Sequence, residues 1–158
     1  INHSIIKAAI FLAIGCVVYK KKETSIKKLA GLGRTMPLIA TCLTISSISL
    51  IGVPGTVGFI SKWYLVLGAI EQGWWLVVIS LAISSLLALI YVGRVIELIW
   101  FHEPEKNIIV IKEKLPKEMV IITIILTLAT IYFGIDIRLT ADLAKVAVEN
   151  VLLAGDIL

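Results

Sequence analysis

Val53-Pro54-Gly55-Thr56-Val57-Gly58-Phe59-Ile60-Ser61-Lys62 lies inside a nearly uncharged stretch running from Pro37 to Ile70. A lysine at the centre of a membrane helix costs roughly 2.5 to 3.5 kcal/mol on insertion scales, so an ionisable residue at that depth marks a functional site by default. The proline removes a backbone donor and crowds the preceding turn, and the glycines at 52, 55 and 58 ease departure from helical geometry. Freed carbonyls and amides inside lipid must be re-satisfied by protein or water, and transporters use such interruptions as ion sites. The stretch therefore reads as one discontinuous crossing made of two half-helices, about Pro37 to Gly52 and Val57 to Ile70. Gly52, Pro54, Gly55 and Gly58 form the break, and Lys62 sits two turns past the proline.

The surrounding composition agrees. Of 158 residues 59% are hydrophobic, and the mean hydropathy of +1.01 lies outside the balance of a soluble domain. Further apolar segments at about 1–19, 74–101 and 118–134 are of helix-spanning size or slightly short of it. The expected fold is a single all-α integral membrane domain with four transmembrane segments, the second discontinuous, followed by a C-terminal amphipathic helix at about 137–153. In that tail Arg138, Asp142, Lys145 and Glu149 form a narrow polar stripe on an otherwise apolar helix, suited to an interface or a neighbouring subunit. The chain opens on Ile1, already close to its first apolar segment, and reads as the C-terminal part of a longer polypeptide without a signal peptide. Cys16 and Cys42 fall in apolar segments without paired spacing and read as small buried hydrophobes.

Charge sets orientation. Lys20, Lys21, Lys22, Lys27, Lys28 and Arg34 follow the first segment, and Lys106, Lys112, Lys114 and Lys117 follow the third, whereas Glu71-Gln72-Gly73 carries no basic residue. The lysine-rich loops are accordingly placed on the cytoplasmic side, and the expected location is a prokaryotic cell membrane. The net charge of +4 is explained by topology and anionic lipid, with no nucleic-acid partner. Trp74, Trp75 and Trp100 mark the membrane boundaries of the third segment.

Among residues that could carry chemistry, Lys62 leads. Burial makes its charged form costly, so it can exchange a proton where an exposed lysine would stay charged. The plainer alternative is one static ion pair or a side chain snorkelling to the interface. Thr41, Thr44, Ser46, Ser47 and Ser49 either line a hydrated path or serve ordinary helix packing. His3 and Lys7 share a helix face four residues apart and are either a second proton station or interfacial end residues. Arg94 and Glu97, at i and i+3, are either a local ion pair reaching the headgroups or a proton-uptake pair with Glu97 as carrier. His102 with Glu103 and Glu105 has no metal-ligand spacing, and no cofactor motif is found, so neither metal nor cofactor is expected.

Three motifs stand in order: Asn2-His3-Ser4-Ile5-Ile6-Lys7-Ala8-Ala9-Ile10-Phe11-Leu12, then Gly31-Leu32-Gly33-Arg34-Thr35-Met36-Pro37, then Gly52-Val53-Pro54 with Gly58-Phe59-Ile60-Ser61-Lys62-Trp63. Together they resemble the antiporter-like membrane subunits shared by Mrp-type cation/proton antiporters, respiratory complex I and membrane-bound hydrogenases. Gly73-Trp74-Trp75 and Tyr91-Val92-Gly93-Arg94-Val95 look most like the D-type branch found in Mrp antiporters. The resemblance implies the second half of an inverted-repeat transporter subunit, each repeat having one broken helix. It matches Lys62 to the proton-carrying lysine or glutamate of the second break, and Lys7 and His3 to a lysine and a histidine in the helix before it. One departure is Gly55, which stands where the family often has a second proline.

The expected function is proton translocation, exchanging protons for sodium or another monovalent cation within a multi-subunit membrane complex. A proton-pumping subunit of a complex I-like or hydrogenase complex is the alternative, in which case the chain belongs to a redox-driven enzyme without holding its redox site. A non-conducting structural subunit is the rival of a different class. The expected partners are other membrane subunits, including whatever supplies the first repeat, together with lipid, protons and Na+.

Overall fold

Backbone amides and carbonyls cannot stay unpaired in an apolar solvent, so a chain this hydrophobic resolves into segments that bond internally. The computed structural model describes residues 1–22, 25–104, 115–138 and 146. Every described element is a helix: α1 (Asn2–Lys21), a 3-10 turn (Ile26–Leu29), α2 (Leu32–Thr35), α3 (Pro37–Ile51), α4 (Val57–Glu71), α5 (Trp75–Phe101) and α6 (Lys117–Ile135). Three of them, α1, α5 and α6, are long and apolar enough to cross a membrane. With 15 residues, α3 rises about 22 Å, short of a hydrocarbon core of about 30 Å. The basic segment 105–114 and, apart from Ile137, Arg138 and Val146, the expected amphipathic tail lie outside the described residues.

Small residues bring the helices together. On α1 the buried positions Ala9, Ala13 and Cys16 recur at four and three residues, one face of a helix, and all are fully buried. That face meets α3 and α6, where short side chains allow close backbone approach and dispersion contact replaces a hydrophobic driving force. Cys16 and Cys42 are buried, free thiols.

The segment before α3 lies on the C-terminal end of α5. Gly31 N–H donates to the Leu98 carbonyl at 3.2 Å, Gly33 lies against the Trp100 ring, and Arg34 approaches Glu103 to 3.9 Å with both side chains largely exposed. A surface pair of that kind contributes at most about 1 kcal/mol. The Trp100 indole N–H donates to Thr44 Oγ1 at 3.0 Å. Trp100, read from sequence as a boundary residue, thus also ties α5 to α3.

The polarity of the bundle is reversed relative to a water-soluble protein. Leu76 is 80% exposed, and Leu86 and Ile90 on the same helix are similarly uncovered, whereas Ser46, Ser49, Thr123 and Thr130 are fully buried. The buried threonines of α6 return their hydroxyl hydrogens to their own helix: Thr123 to Met119 O at 2.7 Å, Thr127 to Thr123 O at 2.8 Å and Thr130 to Thr127 O at 2.7 Å. The oxygens of Thr123 and Thr127 then meet Cys16 Sγ at 3.8 Å and Ser46 Oγ at 3.4 Å, respectively. A polar seam inside and an apolar surface outside suit a hydrocarbon environment.

Candidate functional site

The site is built where α3 stops. Gly52 adopts φ 91°, a left-handed conformation that costs a residue with a Cβ roughly 1 to 2 kcal/mol. That turn lets Gly52 N–H donate to Ile48 O at 3.2 Å and Ser49 O at 3.1 Å, and Val53 N–H to Ile48 O at 3.5 Å. This is a Schellman-type closure of the helix end. Val53, Pro54 and Gly55 then form an exposed turn, and Thr56, Val57 and Gly58 re-enter the bundle interior as α4 begins.

One carbonyl of the last turn is satisfied from outside. Lys62 Nζ donates to Ile51 O at 2.7 Å and to Ser85 Oγ of α5 at 3.0 Å. The ammonium thereby lies at the C-terminus of α3, where aligned peptide dipoles concentrate partial negative charge. Its side chain packs over Gly52, where an added Cβ would stand 3.0 Å from Lys62 Cδ. Lys62 is half-buried.

The opposite end is held in return. The Gly58 amide, one of the unpaired donors of the first turn of α4, donates to Ser49 Oγ of α3 at 3.4 Å. A Cβ on Gly58 would lie 1.8 Å from the Ser49 carbonyl oxygen, so only glycine permits this approach. Each of the two helices therefore supplies a side chain that satisfies a backbone group at the other's end.

The other residues singled out from sequence are more dispersed. On α1, Asn2 and Ile6 face α4: Asn2 Nδ2 donates to Ser61 Oγ at 2.9 Å, and Ile6 packs near Gly58. His3 and Lys7, each one position further along, are exposed on the outer side of α1. Arg94 and Glu97 are exposed on α5 and form no ion pair with each other among the described residues. Thr41 and Thr44 bond back to the carbonyls of Pro37 at 2.9 Å and Ala40 at 2.8 Å; Ser46, Ser47 and Ser49 are buried. Among the described residues, no carboxylate pairs with Lys62, and no cluster of His, Cys, Asp or Glu could hold a metal ion.

Ser85 and Asn2, which bond to Lys62 and Ser61, do not stand out in the sequence. Ser85 is one of two adjacent serines in a long apolar helix, and only its packing distinguishes it from Ser84. Asn2 offered a signal in its amide, a polar group near the start of an apolar helix.

Residues 1–88 match the sequence pattern of the family described as NADH:quinone oxidoreductase/Mrp antiporter, TM, which is more than half of the 158 residues. The chain belongs to that family. Within it, the chain is 39% identical to NADH-quinone oxidoreductase subunit N of Desulforudis audaxviator (strain MP104C) over 97 residues, 61% of this chain and 19% of that protein. It is 38% identical to the D-type subunit of the Na(+)/H(+) antiporter of Alkalihalophilus pseudofirmus over 86 residues, 54% of this chain and 17% of that protein. A chain of the solved Mrp complex from Dietzia sp. DQ12-45-1b shares the fold with a TM-score of 0.78 at 21% identity, over 88% of this chain and 34% of that one. A chain of respiratory complex I from Thermus thermophilus gives a TM-score of 0.65 at 19% identity, over 84% of this chain and 31% of that one. This antiporter-family chain therefore spans about a fifth of the length of the curated relatives it matches and about a third of the solved chains. Membership and the apolar helices make it an integral membrane chain.

Proposed function

We propose that the chain is the proton-carrying second half of an antiporter-like subunit, with Lys62 as the carrier, exchanging protons for a monovalent cation, Na+ first among them. The observation that carries this reading is the setting of Lys62: its ammonium is held by a backbone carbonyl and a hydroxyl, with no carboxylate partner among the described residues. A lysine locked to a buried carboxylate would leave an uncompensated charge on losing its proton. Neutral partners impose no such cost, so the amine can cycle between its two forms. The likeness to an Na(+)/H(+) antiporter component supports sodium as the exchanged ion.

In this reading α3 and α4 together make one interrupted crossing, the second of four, with Gly52, Pro54, Gly55 and Gly58 forming the break. Lys7 and His3, exposed on α1, face helices of the first repeat and link Lys62 to it; Glu97 with Arg94 serves proton uptake at the end of α5. The lysine-rich segments lie in the cytoplasm of a prokaryotic cell. Further membrane subunits, lipid and the first repeat complete the assembly.

The test is Lys62→Ala in the full-length subunit within its assembled complex, followed by sodium-gradient-driven proton movement in vesicles. Loss of proton movement with assembly intact is expected; full activity sinks the reading. The likeness to NADH-quinone oxidoreductase subunit N favours a second version, in which a redox partner drives the same lysine. Proton movement that needs an electron donor and ignores sodium would select it.

A further inference from the structure

The Lys62 ammonium is shared between α3 and α5, and its α5 partner is a hydroxyl set among apolar side chains. Ser85 lies among residues such as Ile83, Leu86 and Leu87, which are 52%, 60% and 62% exposed. It is half-buried toward α4, whereas its neighbour Ser84 is exposed. Its oxygen stands 3.0 Å from Lys62 Nζ, and the same nitrogen reaches the Ile51 carbonyl at 2.7 Å.

We propose that Ser85 is a positioning residue for the proton carrier, a hydroxyl that holds Lys62 Nζ at the end of α3 in both of its protonation states. The proposal rests on the reading of Lys62 as the carrier. A hydroxyl has one donor hydrogen and two acceptor lone pairs, and its hydrogen rotates freely. It accepts a hydrogen bond from the ammonium and, once the proton has left for the next carrier, turns its own hydrogen toward the lone pair of the neutral amine. Ser85 gains and loses no proton in this cycle. The Ile51 carbonyl can only accept, so it bonds more strongly to the ammonium and offers no donor to the lone pair of the neutral amine. Ser85 thus keeps the amine from swinging away when neutral, while its bond to the ammonium is the stronger of the two.

The experiment uses the full-length subunit in its assembled complex, reconstituted in vesicles, with proton movement measured over a series of pH values. Ser85→Ala is compared with Ser85→Thr, which keeps the hydroxyl, with Ser84→Ala on the exposed neighbour, and with Lys62→Ala. Loss of one hydrogen bond to the charged group should move the alkaline limb of the pH profile toward acid by about one unit. Ser85→Thr and Ser84→Ala should retain the parent profile. Ser85→Cys, with its weaker hydrogen-bonding thiol, should follow alanine and carries the test if the alanine variant assembles poorly. If Lys62→Ala abolishes proton movement while Ser85→Ala and Ser85→Cys keep the parent profile, the positioning role is overturned and the carrier stands. If Lys62→Ala leaves proton movement intact, both fall.

Discussion

Lys62 Nζ lies 2.7 Å from the carbonyl oxygen of Ile51, eleven residues earlier in the chain, so the amine of α4 closes the C-terminus of α3. The relation couples two things usually treated separately: the charge on a titratable side chain and the satisfaction of a helix end. An ammonium there both neutralises an unpaired carbonyl and meets the negative end of the peptide dipoles. Removing the proton weakens that closure, so the protonation state of Lys62 and the packing of α3 on α4 are linked.

Charge alone is insufficient for this role. Lys62→Arg keeps a positive group but replaces the amine with a guanidinium that does not release its proton in proteins. Proton movement in vesicles is expected to fall at least about tenfold while the complex assembles normally, a barrier increase of about 1.4 kcal/mol or more. Arginine that supports parent-level transport would show that only the charge matters.

Gly58→Ala should damage packing rather than chemistry. Its Cβ would fall 1.8 Å from the Ser49 carbonyl oxygen, a backbone atom that cannot rotate away. Overpacking of this sort costs typically about 1 to 3 kcal/mol. The midpoint of thermal unfolding of the detergent-solubilised subunit should drop by several degrees; an unchanged midpoint would mean that α3 and α4 separate freely.

Trp100→Phe removes the indole N–H that donates to Thr44 Oγ1 at 3.0 Å. A loss of about 0.5 to 1.5 kcal/mol is expected. Because the loss belongs to the pair, Trp100→Phe and Thr44→Val combined should cost less than the sum of the two, as a double-mutant cycle would measure.

The polar seam should be forgiving by comparison. Thr127 already donates to Thr123 O at 2.8 Å, and its contact with Ser46 is long, at 3.4 Å. Interhelical hydrogen bonds in membranes average about 0.6 kcal/mol, so Ser46→Ala should lower stability by less than about 1 kcal/mol with no change in transport. A large loss of transport would instead assign these hydroxyls to a proton path.

The helical, membrane-embedded class and the family were legible in the chain itself. Hydropathy forces internally bonded helices, and the motifs at Asn2 to Leu12, Gly31 to Pro37 and Gly52 to Trp63 carry the likeness that residues 1–88 then bear out. Lys62 was conspicuous because a charge in an apolar stretch is rare at any spacing. The local pairing of Arg94 with Glu97 does not form, because i,i+3 spacing brings two side chains within reach without making them meet, and both are exposed on α5.

One-dimensional chemistry expresses the solvent, the helices, the family and the lysine. Which groups answer that lysine depends on how the helices pack. The Ile51 carbonyl is invisible in sequence because every residue has one, and Ser85 is a common residue made distinctive only by the approach of α5 to α4. Hydrophobic burial acts on any apolar surface and can be read from composition, whereas a hydrogen bond depends on distance and direction and exists only once the helices have packed.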